Sequence, residues 1–144
     1  MADLSQLVQY ENAYPVHLKF MGEPVGITMH IVSFDSDRVI KAGNAVGAKR
    51  WTAIFESEEK KLSHEQISEF ADMEEREKLV AAITSWDFGG NSFGDLAADP
   101  ECNEKNKRYV LGHANAKWIR DQLNNAGTDL GNFTQASAKP SKKK

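Results

Sequence analysis

Two stretches of strict alternation, one turn apart, constrain this chain more than any other feature. Val16, Leu18 and Phe20 alternate with His17 and Lys19 after Pro15, and Met21-Gly22-Glu23-Pro24 then interrupts with turn-forming residues. Beyond the break Val25, Ile27, Met29 and Ile31 alternate with Gly26, Thr28 and His30. A period of two sends one side of each run to a buried face, so residues 15–32 read as a β-hairpin. An isolated hairpin is marginal in water. This one must therefore pack on a helix or pair with another chain. Residues 1–14 are polar and lack a period, which fits an N-terminal arm or an extended edge.

From Ser33 the period lengthens. Asp35 or Ser36 suits an N-cap, with Asp37 in the first turn where the helix dipole favours an acid. Val39, Ile40, Ala42, Val46, Trp51, Ile54 and Phe55 then recur at helical spacing, predicting a helix over about 36–62. Ser63 with Gln66 forms a capping-box pattern that opens a second helix. Its apolar positions, Ile67, Phe70, Ala71, Leu79, Val80, Ile83 and Trp86, carry it over about 63–87, to Phe88-Gly89-Gly90. A loop rich in Gly, Asn, Asp and Pro follows. Two shorter helices are expected over 102–111 and 115–125, separated near Gly112 and closed by Gly127. The expected fold is α+β, predominantly helical: an N-terminal β-hairpin followed by about four helices. One domain spans 15–134, and 135–144 form a disordered basic tail.

Charge and cysteine content narrow the function classes. The tail KPSKKK holds four of the 18 basic residues and none of the 21 acids, so the remainder carries 14 against 21, a formal −7. An acidic body is a poor nucleic-acid binder, because phosphate affinity rests on clustered Lys and Arg. The lysine tail could touch an anion, although a short charged end is ordinarily just solvated. No apolar run approaches the ~20 residues that span a bilayer, and MADLSQLVQYENAY lacks the basic-then-apolar pattern of a secretory signal. The single Cys102 has no internal partner, which suits a reducing compartment. A soluble intracellular protein without a membrane partner is expected.

The sequence holds no pattern that carries chemistry. His17 and His30 lie on the polar sides of the hairpin, His64 at a helix start and His113 in a turn, with no zinc-ligand spacing. SHEQ at 63–66 is not HExxH. A cross-strand His17–His30 pair would need further ligands from another chain. Glu56, Glu58, Glu59, Glu74, Glu75 and Glu77 sit in charge runs that read as solvated faces. No nucleophile elbow, phosphate loop or dinucleotide fingerprint occurs. Cys102, near a helix start, reads as a small buried residue. The expectation is a non-enzyme with no catalytic residues, cofactor or metal. Gly43 and Gly47, one turn apart within a helix, suggest either close packing there or a weak, bent helix. Trp51, Trp86 and Trp118, one on each of three helices, read as core anchors, with interface positions the lesser alternative.

Three segments carry a family resemblance: PVGITMHIVSFDSD at 24–37, LVAAITSWDFGGNSF at 79–93 and KWIRDQLNNAGTDLGNFTQAS at 117–137. Within them stand Ile83 to Trp86, Trp118 to Gln122, and Asn132-Phe133-Thr134. Over roughly 15–137 the chain resembles the tail assembly chaperones of long-tailed bacteriophages. The resemblance implies a protein of the host cell cytoplasm that binds the tape measure protein while the tail tube protein polymerises around it. It also implies a longer, frameshifted form of the chain. Lys142-Lys143-Lys144 suits the A-rich codons of a slippery site, and equally suits a plain lysine tail. A homo-oligomer is compatible with this reading. Such a chaperone must offer apolar surface to helical faces. The candidates are Val25, Ile27 and Met29 of the hairpin, with Trp86, Phe88, Phe93 and Phe133 in or beside loops; the alternative is that these rings cap the core. Two other classes remain. One is a structural virion protein of the tail or head–tail connector, whose hairpin adds to a neighbour's sheet in a ring. The other is a small nucleic-acid-binding accessory protein.

Overall fold

The computed structural model describes residues 3–134. The hairpin forms where alternation places it, as strands β1 (Tyr14–Phe20) and β2 (Glu23–Ile31). Its two-residue turn uses Met21 at φ 53° and Gly22 at φ 84°. Both positive values match the twist of the flanking strands, as type I′ turns do. Phe20 pairs with Glu23, and the register slips between His17 and Lys19. Pro24 stands opposite Lys19 there and has no N–H to give the ladder.

The hairpin's partner comes from within the chain. Helix α2 (His64–Ala82) does not run to residue 87; Ile83–Asp87 form a third strand, β3, antiparallel to β2 in the order β1-β2-β3. Ile83 and Trp86, expected on a helix, are strand residues opposite Ile31 and Met29. Two causes favour the switch. β-branched Ile83 and Thr84 suit a pleated surface, and the ladder satisfies the otherwise open edge of β2. Lys107 then fixes the boundary by donating from Nζ to the carbonyls of Val80 (3.3 Å) and Ile83 (2.7 Å), taking up groups a helix end leaves unpaired.

Helix α1 (Asp37–Glu56) also ends earlier than position 62. Glu56, Glu58 and Glu59 put negative charge at its carbonyl end, against the dipole. Lys60 turns left-handed at φ 57° and donates to the Phe55 carbonyl at 2.6 Å. Ser36 occupies the N-cap without a side-chain bond; instead Glu11 accepts the Asp37 N–H at 2.9 Å. The capping box of α2 forms in both directions, at 3.1 and 3.0 Å. α3 (Glu104–Gly112) and α4 (Lys117–Thr128) follow. Gly127 lies inside α4 rather than closing it, because the Phe34 ring presses on it; a Cβ there would stand 2.4 Å from that ring.

One face of the sheet, with Val16, Leu18, Ile27, Met29 and Ile31, packs against Leu79 and Val80 of α2, Val110 and Leu111 of α3, and Ile119 and Leu123 of α4. The N-terminal segment is not a free arm. Val8 bridges to Thr134, Gln9 donates to the Phe133 carbonyl at 2.7 Å, and Ser33 donates to the Tyr10 carbonyl at 3.0 Å. The architecture is α+β with helices predominating. The tail over 135–144 lies outside the described residues.

Candidate functional surface

The hairpin and loop residues expected to face a partner converge on the core instead. Met29 and Ile27 are buried, Val25 is half-buried, and Phe88 and Phe133 are each 1% exposed. Trp86 lies opposite Met29 in the sheet, stands edge-on to Phe88 with ring centroids 4.9 Å apart, and donates its indole N–H to the Pro100 carbonyl at 2.8 Å. Phe93 is half-buried against the His113 ring. The loop between Phe88 and Phe93 is tied down. Asp99 accepts the Gly90 N–H (2.7 Å), Asp87 accepts the Gly89 N–H (2.8 Å), and the Asn91 amide donates to the carbonyls of Val25 and Phe88. Gly89, at φ 59°, lies so close to Gly26 that a Cβ would meet its carbonyl oxygen at 2.3 Å.

No constellation for catalysis assembles from the remaining candidates. His17 faces Thr28, with Nδ1 2.9 Å from its hydroxyl, and His30 faces Pro15, so the two histidines are not cross-strand partners. His64 is the first residue of α2, and His113 Nδ1 accepts the Asn115 N–H. Among the described residues no three His, Cys, Asp or Glu side chains are grouped to hold a metal ion. Burial pushes the Cys102 thiol above its ordinary range, which disfavours the reactive thiolate. Glu77 receives a two-pronged bond from Arg108 at 2.9 and 3.0 Å, and that bond holds its carboxyl below the usual range despite partial burial.

Both outer strands are engaged by their own chain. On β1 the Gln122 side chain accepts the Lys19 N–H at 2.9 Å and donates to the Lys19 carbonyl at 2.8 Å. On β3 Lys107 takes the Ile83 carbonyl, and the Trp86 N–H is directed at the Cys102 sulfur. Trp118 packs edge-on against Phe20, so two residues of the WIRDQ segment secure the hairpin to α4.

An apolar face lies open on α1, where only Trp51 had an interface position as its lesser alternative. At 100° per residue the seven apolar positions assigned to α1 cover roughly 220° of its circumference, twice what one buried stripe needs. α1 buries Val39 and Val46. Trp51 is 59% exposed and Phe55 66%, their rings stacked with centroids 5.8 Å apart, and Ile40 is 46% exposed. Trp51 is thus no core anchor. Ile40, Asn44, Gly47, Ala48, Trp51 and Phe55 follow one another at helical spacing along a single face. Beside it runs an open groove of about 550 Å³, bounded by Ile40, Gly43, Gly47 and Trp51 on α1, by Glu74 and Lys78 on α2, and by Phe34. The two glycines have different reasons. A Cβ on Gly43 would stand 2.7 Å from Lys78 Cε, whereas Gly47 faces open space up to Arg50. Charges bordering the groove pair among themselves: Glu74 with Lys78 (3.1 Å) and Arg50 (3.7 Å). The one signal available from sequence was that excess width of the α1 stripe.

Among the described residues no helix is long and apolar enough to cross a membrane. No family model, curated protein or solved structure matches the chain.

Proposed function

We propose that this chain is a non-enzymatic tail assembly chaperone of a long-tailed bacteriophage. In this reading it works in the host cell cytoplasm, binding the tape measure protein while tail tube subunits polymerise around it. The observation that carries the reading is the aromatic face of α1. A chain that closes its own sheet and completes its own core still leaves Trp51, Phe55 and Ile40 open, beside a groove whose bordering Arg50 and Lys78 are both tied to Glu74. Such a face suits the apolar side of a client helix. The segments that resemble the family support the reading as framework: Trp86, Gln122 and Phe133 secure the sheet, α4 and the core. The engaged strand edges weigh against a ring assembled by adding this hairpin to a neighbour's sheet.

Co-expression with the phage tape measure protein tests it. The wild-type chain is expected to raise the soluble fraction of that protein, and Trp51→Glu with Phe55→Glu to abolish the effect. Both substitutions are at exposed positions, so the variant should retain the wild-type melting profile. A folded double variant with undiminished solubilisation would refute this use of the face.

A further inference from the structure

We infer that, without a client, the α1 face is covered by a second copy of the same chain, in an antiparallel two-fold pairing of α1 with α1. This regulates the face on which the proposed function rests, by masking it until a client competes. Three features point to a second copy.

The first is self-complementarity. The bulky residues, Trp51 and Phe55, lie in the C-terminal half of α1, and the groove over Gly43 and Gly47 begins in its N-terminal half. A two-fold axis passing between Gly47 and Ala48 necessarily carries one half onto the other. Trp51 of one copy then stands over Asn44 and the open groove of its mate, and Phe55 meets Ile40. Gly47, where an added Cβ would meet only the flexible Arg50 guanidinium at 3.9 Å, lies at the crossing where two helices approach most closely.

The second is charge. The ridge from Asn44 to Phe55 carries Asn44, Ala48, Trp51, Thr52 and Phe55, and the charged groups of the groove beside it, Arg50, Glu74 and Lys78, are already joined in ion pairs. An isologous contact opposes each group to a copy of the same surface, so a charged centre would repel itself. This centre does not.

The third is area. Trp51, Phe55 and Ile40, with Ile67 (52% exposed) one turn beyond Ala71 on the neighbouring ridge of α2, leave on the order of 450 Å² of apolar surface open. A standard interface covers about 800 Å² per partner, somewhat over half of it apolar. The face is the size that one side of a dimer needs.

The test uses the full chain without any client. Sedimentation equilibrium at micromolar concentration should give twice the 16.0 kDa chain mass. Trp51→Glu should weaken the dimer at least about tenfold, as loss of a central aromatic anchor does. In a Cys102→Ala background, Ala48→Cys should form an intermolecular disulfide within the dimer, since the axis passes beside it. Lys49→Cys, exposed and turned about 150° from the centre of the face, should not. A wild-type monomer throughout this range overturns the inference, as does a dimer that Trp51→Glu leaves intact or that cross-links at position 49 instead of position 48. Because no client is present, those results leave the chaperone reading standing. Conversely, a dimer that fails to solubilise the tape measure protein refutes that reading alone.

Discussion

Phe88→Ala separates a core ring from a partner-facing one. Phe88 is 1% exposed and stands edge-on to Trp86 at 4.9 Å, under a loop held by Asp87, Asn91 and Asp99. Removing a fully buried Phe costs about 3–5 kcal/mol in lost transfer energy and residual cavity. The edge-to-face pair with Trp86 accounts for about 0.5–1.5 kcal/mol of that. The glycine loop above cannot collapse into the space, because Gly89 already touches the Gly26 backbone, so the upper half of the range applies. A domain of this size is stable by about 5–15 kcal/mol, making the loss a large share of the total. At about 3 °C per kcal/mol the melting temperature should fall by roughly 10–15 °C. Urea titration and thermal melting followed by far-UV circular dichroism measure both quantities. Phe93→Ala, half-buried against His113, should cost only about 1–2 kcal/mol. A Phe88→Ala loss below about 1 kcal/mol, or a larger loss at Phe93, would show that the ring does not belong to the core.

Two further outcomes follow from the geometry. Gly89→Ala combines a left-handed backbone with a clash against the Gly26 carbonyl and should cost about 2–3 kcal/mol, whereas Gly90→Ala, equally left-handed but with nothing within 4 Å, should cost about 1 kcal/mol; equal losses in chemical denaturation would contradict the contact. The Glu77 carboxyl is held below its ordinary range by Arg108, so its contribution is complete above that range and disappears as pH falls through the lowered value. The stability gap between wild type and Arg108→Gln, on the order of 1 kcal/mol after solvent screening, should therefore narrow between pH 5 and pH 3 in urea melts; a gap that stays constant would refute the ion pair's role.

The hairpin was legible because alternation is local: each of Val16, Leu18, Ile27, Met29 and Ile31 points inward whatever lies beneath. The capping box of α2 was legible for the same reason, since both its bonds span three residues. β3 was hidden. Leu79, Val80, Ile83 and Trp86 continue a helical rhythm across the junction, and the residues that decide against a helix, His30, Ile31 and Lys107, are remote in sequence. The partner surface was misplaced by a related ambiguity. Aromatics beside a glycine loop look mobile, yet Phe88 lies under that loop; aromatics in a helix look like core, yet Trp51 and Phe55 point away from it. Periodicity reports that a residue is apolar on a face. It does not report how many faces the rest of the chain can cover.

The grip of Gln122 on Lys19 reaches beyond holding α4 to the sheet. A primary amide presents one donor and one acceptor in the same plane as a peptide group, so this side chain acts as a strand one residue long. It stands where an incoming chain would place its first rung. Pro15, which has no N–H to offer, makes the other end of β1 equally unrewarding to dock on. A crowded solution of unfolded or half-assembled chains is rich in peptide groups seeking a ladder, and a bare β1 would seed runaway cross-pairing with any of them. With its terminal rung already taken, the hairpin can be held at high concentration among such neighbours without templating their growth.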